Sequence, residues 1–143
     1  MGAAEHHVTL ADRRQVGTIG ALTYKMHTSN TSELLYNIDN LDFLECPIME
    51  IVEMQVSSSI FEDVCDLQIV LADNIKMARR QGAKSLVAYV DFGNDPRDIS
   101  AHDRADALVS TYRDLGFTIV YEDDVLAVLV GEDIPELVAK QEV

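Results

Sequence analysis

Ala78-Arg79-Arg80-Gln81-Gly82-Ala83-Lys84-Ser85-Leu86-Val87-Ala88-Tyr89-Val90 is the stretch on which the fold turns. Its first residues close an amphipathic pattern. Its last five, Leu86 to Val90, form a continuous apolar run. Gly82 lies between the two, and a glycine just past the last periodic residue is a common helix stop. Upstream, Ile60, Val64, Leu67, Leu71, Ile75 and Ala78 recur three or four apart, the spacing of one helical face. Ser59-Ile60-Phe61-Glu62 reads as a capping box at the start of that helix. Glu62 and Asp63 in the first turn and Arg79 and Arg80 in the last complement the helix dipole. The apolar run between Gly82 and Gly93 predicts a central strand covered on both faces.

Outward from this unit the elements alternate. Ile48-Met49-Glu50-Ile51-Val52-Glu53-Met54-Gln55-Val56 predicts a strand before the helix. After the central strand, Asn94-Asp95-Pro96-Arg97 reads as a turn. Ser100-Ala101-His102-Asp103 reads as a second capping signal, followed by Ala101, Ala105, Leu108, Tyr112 and Leu115 on one face, with Gly116 as the stop. Phe117–Tyr121 and Val125–Val130 predict a hairpin around Glu122-Asp123-Asp124, and Pro135 opens a short final helix. Towards the N-terminus, Gly17–Tyr24 has strand composition, and a helix is predicted from Asn30-Thr31-Ser32-Glu33. Residues 1–15 are polar and read as a loose arm. Strand, helix, strand, helix, strand, strand predicts one α/β domain over residues 1–143, with a mixed sheet flanked by helices.

The chain has 143 residues, 48% hydrophobic and 25% charged, a composition suited to one folded core. Its net charge of −14 excludes general nucleic-acid binding, which needs cationic contacts to phosphate, and docking on anionic membranes. No signal peptide or spanning segment is evident. Cys46 and Cys65 form no metal-ligand spacing and read as reduced residues, which points to a cytoplasmic location.

The segment 78–130 resembles the C-terminal half of the GNAT N-acetyltransferase superfamily. The residues that carry the likeness are Ala78-Arg79-Arg80-Gln81-Gly82 entering a strand, and Tyr112-Arg113-Asp114-Leu115-Gly116-Phe117 entering a hairpin. With the strand from Ile48, a GNAT-like order spans residues 48–131. The resemblance implies an acyl-CoA-dependent N-acetyltransferase with acetyl-CoA as co-substrate. It assigns Tyr112 as the acid that protonates the departing thiolate, and Glu50 or Glu53 as the base that accepts a proton from the substrate amine. The plain alternative is a core position for Tyr112 and solvated strand positions for Glu50 and Glu53.

The same resemblance places the cofactor phosphates at Gln55, Val56, Ser57, Ser58 and Ser59. Ser58 and Ile60 stand where the family pattern has glycines that let the backbone approach phosphate. That departure predicts weakened or lost cofactor binding. About 48 residues precede the candidate fourth strand, fewer than the family's roughly 80, so part of the substrate face is missing or rebuilt.

A second function class stays open: a non-enzymatic acidic interaction or regulatory protein. Asp114, Glu122, Asp123, Asp124, Glu132, Asp133 and Glu136 fall in a stretch with no Lys or Arg. Such a field attracts a basic protein partner or a cationic amine substrate. Asp98-Ile99-Ser100 sits where a STAS-like module carries its D-x-S site, which makes that module the rival scaffold. A shortened sheet also leaves an edge that a second copy would cover, as a homodimer. His7-Val8-Thr9-Leu10 matches one half of a two-histidine phosphoesterase pattern and has no second half. Asp98, His102 and Asp103 lie close together in sequence and read as a solvated helix start; no metal is expected there.

Overall fold

The computed structural model describes residues 5–11, 18–27, 44–56, 64–93, 97 and 99–134. The elements in chain order are β1 (Glu5–Ala11), β2 (Thr18–His27), β3 (Ile48–Val56), α1 (Val64–Arg80), β4 (Ser85–Asp91), α2 (Ile99–Asp114), β5 (Thr118–Glu122) and β6 (Leu126–Gly131). The strands form one six-stranded sheet in the order β1-β2-β3-β4-β6-β5. β3 and β4 are parallel and connected through α1, and every other neighbouring pair is antiparallel.

Gly82 stops α1 as its position implies. It takes φ +82°, and Ala83 N–H bonds back to the Ala78 carbonyl at 2.9 Å. Gly116 (φ +106°) repeats the motif after α2, with Phe117 N–H on the Tyr112 carbonyl at 3.0 Å. Both are the paired-bond C-cap that places glycine in the left-handed region. Each cap turns the chain straight into a strand.

β4 is buried on both faces, as its unbroken apolar run predicts. Leu86, Ala88 and Val90 face the helices, together with Met49, Ile51, Ala127 and Leu129. Leu67, Leu71, Ile75 and Ala78 of α1 and Ala105, Val109 and Tyr112 of α2 close that layer. Val87 points to the opposite face with Ile48, Leu44, Val128 and Val130, a second and smaller cluster.

The N-terminal reading needs correction. Residues 1–15 were expected to be a loose arm, but Glu5–Ala11 is a strand paired antiparallel with β2 from Glu5↔Lys25 to Ala11↔Thr18. Backbone ladder bonds organise this polar segment, and composition does not report them. The second strand runs three residues further than its apolar pattern, to His27. α2 already includes Ile99, so Ser100 lies inside the helix and does not cap it. The helix expected from Asn30, the capping box at Ser59 and the helix opened by Pro135 lie outside the described residues. Among the described residues no helix is long and apolar enough to cross a membrane.

Candidate functional site

The parallel pairing of β3 with β4 is short. It runs from Ile48↔Ser85 to Ile51↔Ala88 and stops there. β3 continues to Val56 along β2, and β4 continues to Asp91 along β6. The two central strands therefore part beyond Ile51 and Ala88, leaving a fork in the middle of the sheet. The fork coincides with a bulge. In the β2/β3 ladder Tyr24 faces Ile51 and Thr23 faces Glu53, so Val52 has no register partner in β2. A bulged residue is left out of the ladder and re-aims the side chains that follow it.

At the base of the fork, on the face away from the helices, sit three polar side chains. Glu50 is 0% exposed. Its Oε1 lies 2.9 Å from His27 Nε2, and its Oε2 accepts from the Tyr89 hydroxyl at 2.5 Å. An ionised carboxylate only accepts, so His27 Nε2 carries the proton of that contact whenever Glu50 is ionised. The sheet builds this arrangement directly. Glu50 pairs with Val87 on β4, and Tyr89 is two residues further along the same face. His27 pairs with Ile48 on β3, two residues back from Glu50. Both partners are diagonal neighbours, within reach of long side chains.

The expected site residues divide. Glu50 is buried and bonded, against the plain reading of a solvated strand residue. Glu53, past the bulge, is exposed. Tyr112 is 2% exposed in the helix-side core, its ring 4.9 Å from that of Phe117. A hydrogen bond joins it to Asn74, and burial pushes its pKa well above the ordinary 10.0, offset in part by that bond. Asn74 on α1 also donates to Met54 Sδ at 3.3 Å, so it ties Tyr112 to the part of β3 beyond the fork. Tyr112 thus lies on the helix side of the sheet and Glu50 on the other. Gln55 and Val56 end β3 opposite Ala21 and Gly20; Ser57, Ser58 and Ser59 lie outside the described residues.

His27 and Tyr89 escape a reading by motif. The available signal is an acidic residue, Glu50, set within the apolar Ile48–Val52, and one hydroxyl, that of Tyr89, set within Leu86–Val90. Polar groups in strands destined for burial demand partners.

A hollow of about 700 Å³ lies between α2 and the β5–β6 tip, lined by Phe92, His102, Asp106, Ser110, Asp123 and Val125 among others. Asp103 is exposed, and among the described residues no group of acids, histidines or cysteines is placed to hold a metal ion.

With this geometry in view, solved structures supply the comparison. The acetyltransferase PseH of Campylobacter jejuni, in complex with acetyl coenzyme A, matches with a TM-score of 0.51 at 16% identity, over 90% of this chain and 67% of that one. The ribosomal-protein-S5-alanine acetyltransferase of Vibrio fischeri matches at 0.50 and 14%, over 89% and 61%. The CoA-dependent acyl-homoserine lactone synthase BjaI matches at 0.54 and 10%, over 95% and 62%. The fold is GNAT-like. At these identities the likeness concerns architecture alone, and the chain spans about two thirds or less of the length of these three structures. No protein-family model and no curated protein matches the sequence.

The GNAT-like strands that diverge are β3 and β4. Beyond Ile51 and Ala88 the facing edges of these two strands are not paired with each other.

Proposed function

We infer that this chain is an acyl-CoA-dependent N-acyltransferase acting on a cationic amine. The observation that carries the reading is the fork between β3 and β4 with the buried Glu50 at its base. When bound, acyl-CoA supplies an activated acyl group. The fork would hold its arm, and the segment from Gln55 through Ser59 would meet its phosphates. Glu50 would accept a proton from the amine, and the backbone of Val52, outside the β2 ladder, would be available to an acyl group. Tyr112, buried on the helix side beside Asn74, would keep its proton for the departing group in this reading. A net charge of −14 draws a cationic acceptor towards the protein.

The test is thiol release from acetyl-CoA in the presence of a panel of primary amines, with a thiol-reactive dye. Amine-dependent release that Glu50→Gln abolishes supports the reading. Amine-independent hydrolysis or no release overturns it.

A second reading, an acidic docking protein for a basic partner, has its own observation. Tyr121 and Val125 are 42% and 41% exposed on the hairpin and flank Glu122, Asp123 and Asp124. An apolar spot rimmed by acids is a docking surface in miniature. Pull-down of basic proteins that persists after loss of acetyl-CoA turnover would favour it.

A further inference from the structure

Glu50 alone makes a poor meeting point for an amine. It is 0% exposed, and each of its oxygens is engaged within the fold. Tyr89 is different. It is half-buried, it lies on β4 one residue past the last β3/β4 pair, and its hydroxyl contacts Oε2 of Glu50. Tyr89 thus links the buried carboxylate to the part of β4 that lies past the last β3/β4 pair. His27, 3% exposed, holds the other oxygen from β2.

We propose that Tyr89, Glu50 and His27 form a proton relay in which Tyr89 touches the ammonium group of the acceptor, Glu50 receives the proton, and His27 positions Glu50. This rests on the acyltransferase reading and names the group that deprotonates its substrate. One N–H bond of the ammonium breaks and its electron pair stays on nitrogen. The Tyr89 oxygen takes that proton while its own proton passes to Oε2 of Glu50. The positive amine and the negative carboxylate both become neutral, and no other reactant is consumed. A site shielded from water favours cancelling the two charges. A hydroxyl both donates and accepts, so Tyr89 can pass a proton without holding charge between its two bonds. His27 keeps the carboxylate from rotating away, through the bond at Oε1. The acceptor class follows: a primary or secondary alkylammonium, which has a proton to give and a nitrogen that can then be acylated. A quaternary ammonium has none.

The experiment uses the full chain with tyrosine labelled with ¹³C at Cζ, the Tyr89 signal being the one lost in Tyr89→Phe. A saturating primary alkylamine should move the Tyr89 signal, and the matching quaternary ammonium should not. In turnover, Tyr89→Phe should lower kcat about a hundredfold at pH 7 while leaving the KM for acetyl-CoA unchanged. The loss should shrink as pH rises and the amine arrives already neutral. His27→Gln, which retains a donor, should fall less. If Tyr89→Phe fails to fold, the solvent proton inventory of the wild type decides: two protons in flight give a curved plot, and a straight line overturns the relay. An unmoved Tyr89 signal, or a kcat loss equal at every pH, overturns the relay while wild-type turnover stands. Absent wild-type turnover with every amine overturns the acyltransferase reading together with it.

Discussion

The Tyr89 hydroxyl on β4 donates to Oε2 of Glu50 on β3 at 2.5 Å, from one residue past the last β3/β4 pair to one residue before it. The bond closes the base of a fork whose arms run along different neighbours. A single substitution at Glu50 therefore tests structure and chemistry together.

Glu50→Gln keeps the volume and removes the charge. The amide can accept from one of its two neighbours and must present its NH₂ to the other. Both contacts can then be kept, the Tyr89 hydroxyl accepting from the NH₂, but without the charge, and stability should fall by about 1–2 kcal/mol. Urea denaturation followed by circular dichroism measures it. Amine acetylation should fall by about two orders of magnitude or more in the same variant.

Tyr112 sets an alkaline limit. Its folded pKa is raised by burial, while the unfolded chain ionises near 10.0. Below pH 10 both states hold the proton and the contribution is complete. Above it the unfolded state loses the proton first, so stability falls with pH by up to about 1.4 kcal/mol per unit from this group. Melting temperatures from pH 10 upward should drop steeply in the wild type and less steeply in Tyr112→Phe.

The hairpin tip carries a smaller test. Asp123 accepts from the Tyr121 hydroxyl at 2.6 Å and from the amides of Val125 and Leu126 at 2.8 Å each. The Tyr121 bond is the leading cause of its lowered pKa, followed by the Val125 amide. The stabilisation is present above the ordinary carboxylate value of 3.8 and is lost as pH falls through the lowered one. NMR titration of Tyr121→Phe should show Asp123 moving back up towards 3.8.

Leu71 is 0% exposed on α1 beneath the sheet. Leu71→Ala should cost about 2–5 kcal/mol through lost burial and the cavity left behind. A thermal melt reads the loss, and a change near zero would place α1 elsewhere.

The C-terminal two thirds of the fold was legible because its signals are local. Gly82 and Gly116 adopt the positive φ that their positions imply, and Leu86–Val90 is buried on both faces. β1 was not legible, since a polar segment such as Glu5–Ala11 becomes a strand only through its partner. The site was half legible. Glu50 stands out as an acid between apolar residues, but its burial depends on neighbouring strands. Tyr89 and His27 come from strands 23 or more residues away in sequence from Glu50 and meet it only through register. The fork itself has no sequence signature, because it consists of pairing that stops.

The proposed acyltransferase reading makes the fork an acyl-CoA cleft. Calorimetric titration of the chain with acetyl-CoA, with desulfo-CoA and buffer as controls, tests it most directly. The account predicts saturable heat with a dissociation constant in the micromolar range, about −8 kcal/mol at 1 μM. No heat and no thermal shift at millimolar acetyl-CoA would contradict it.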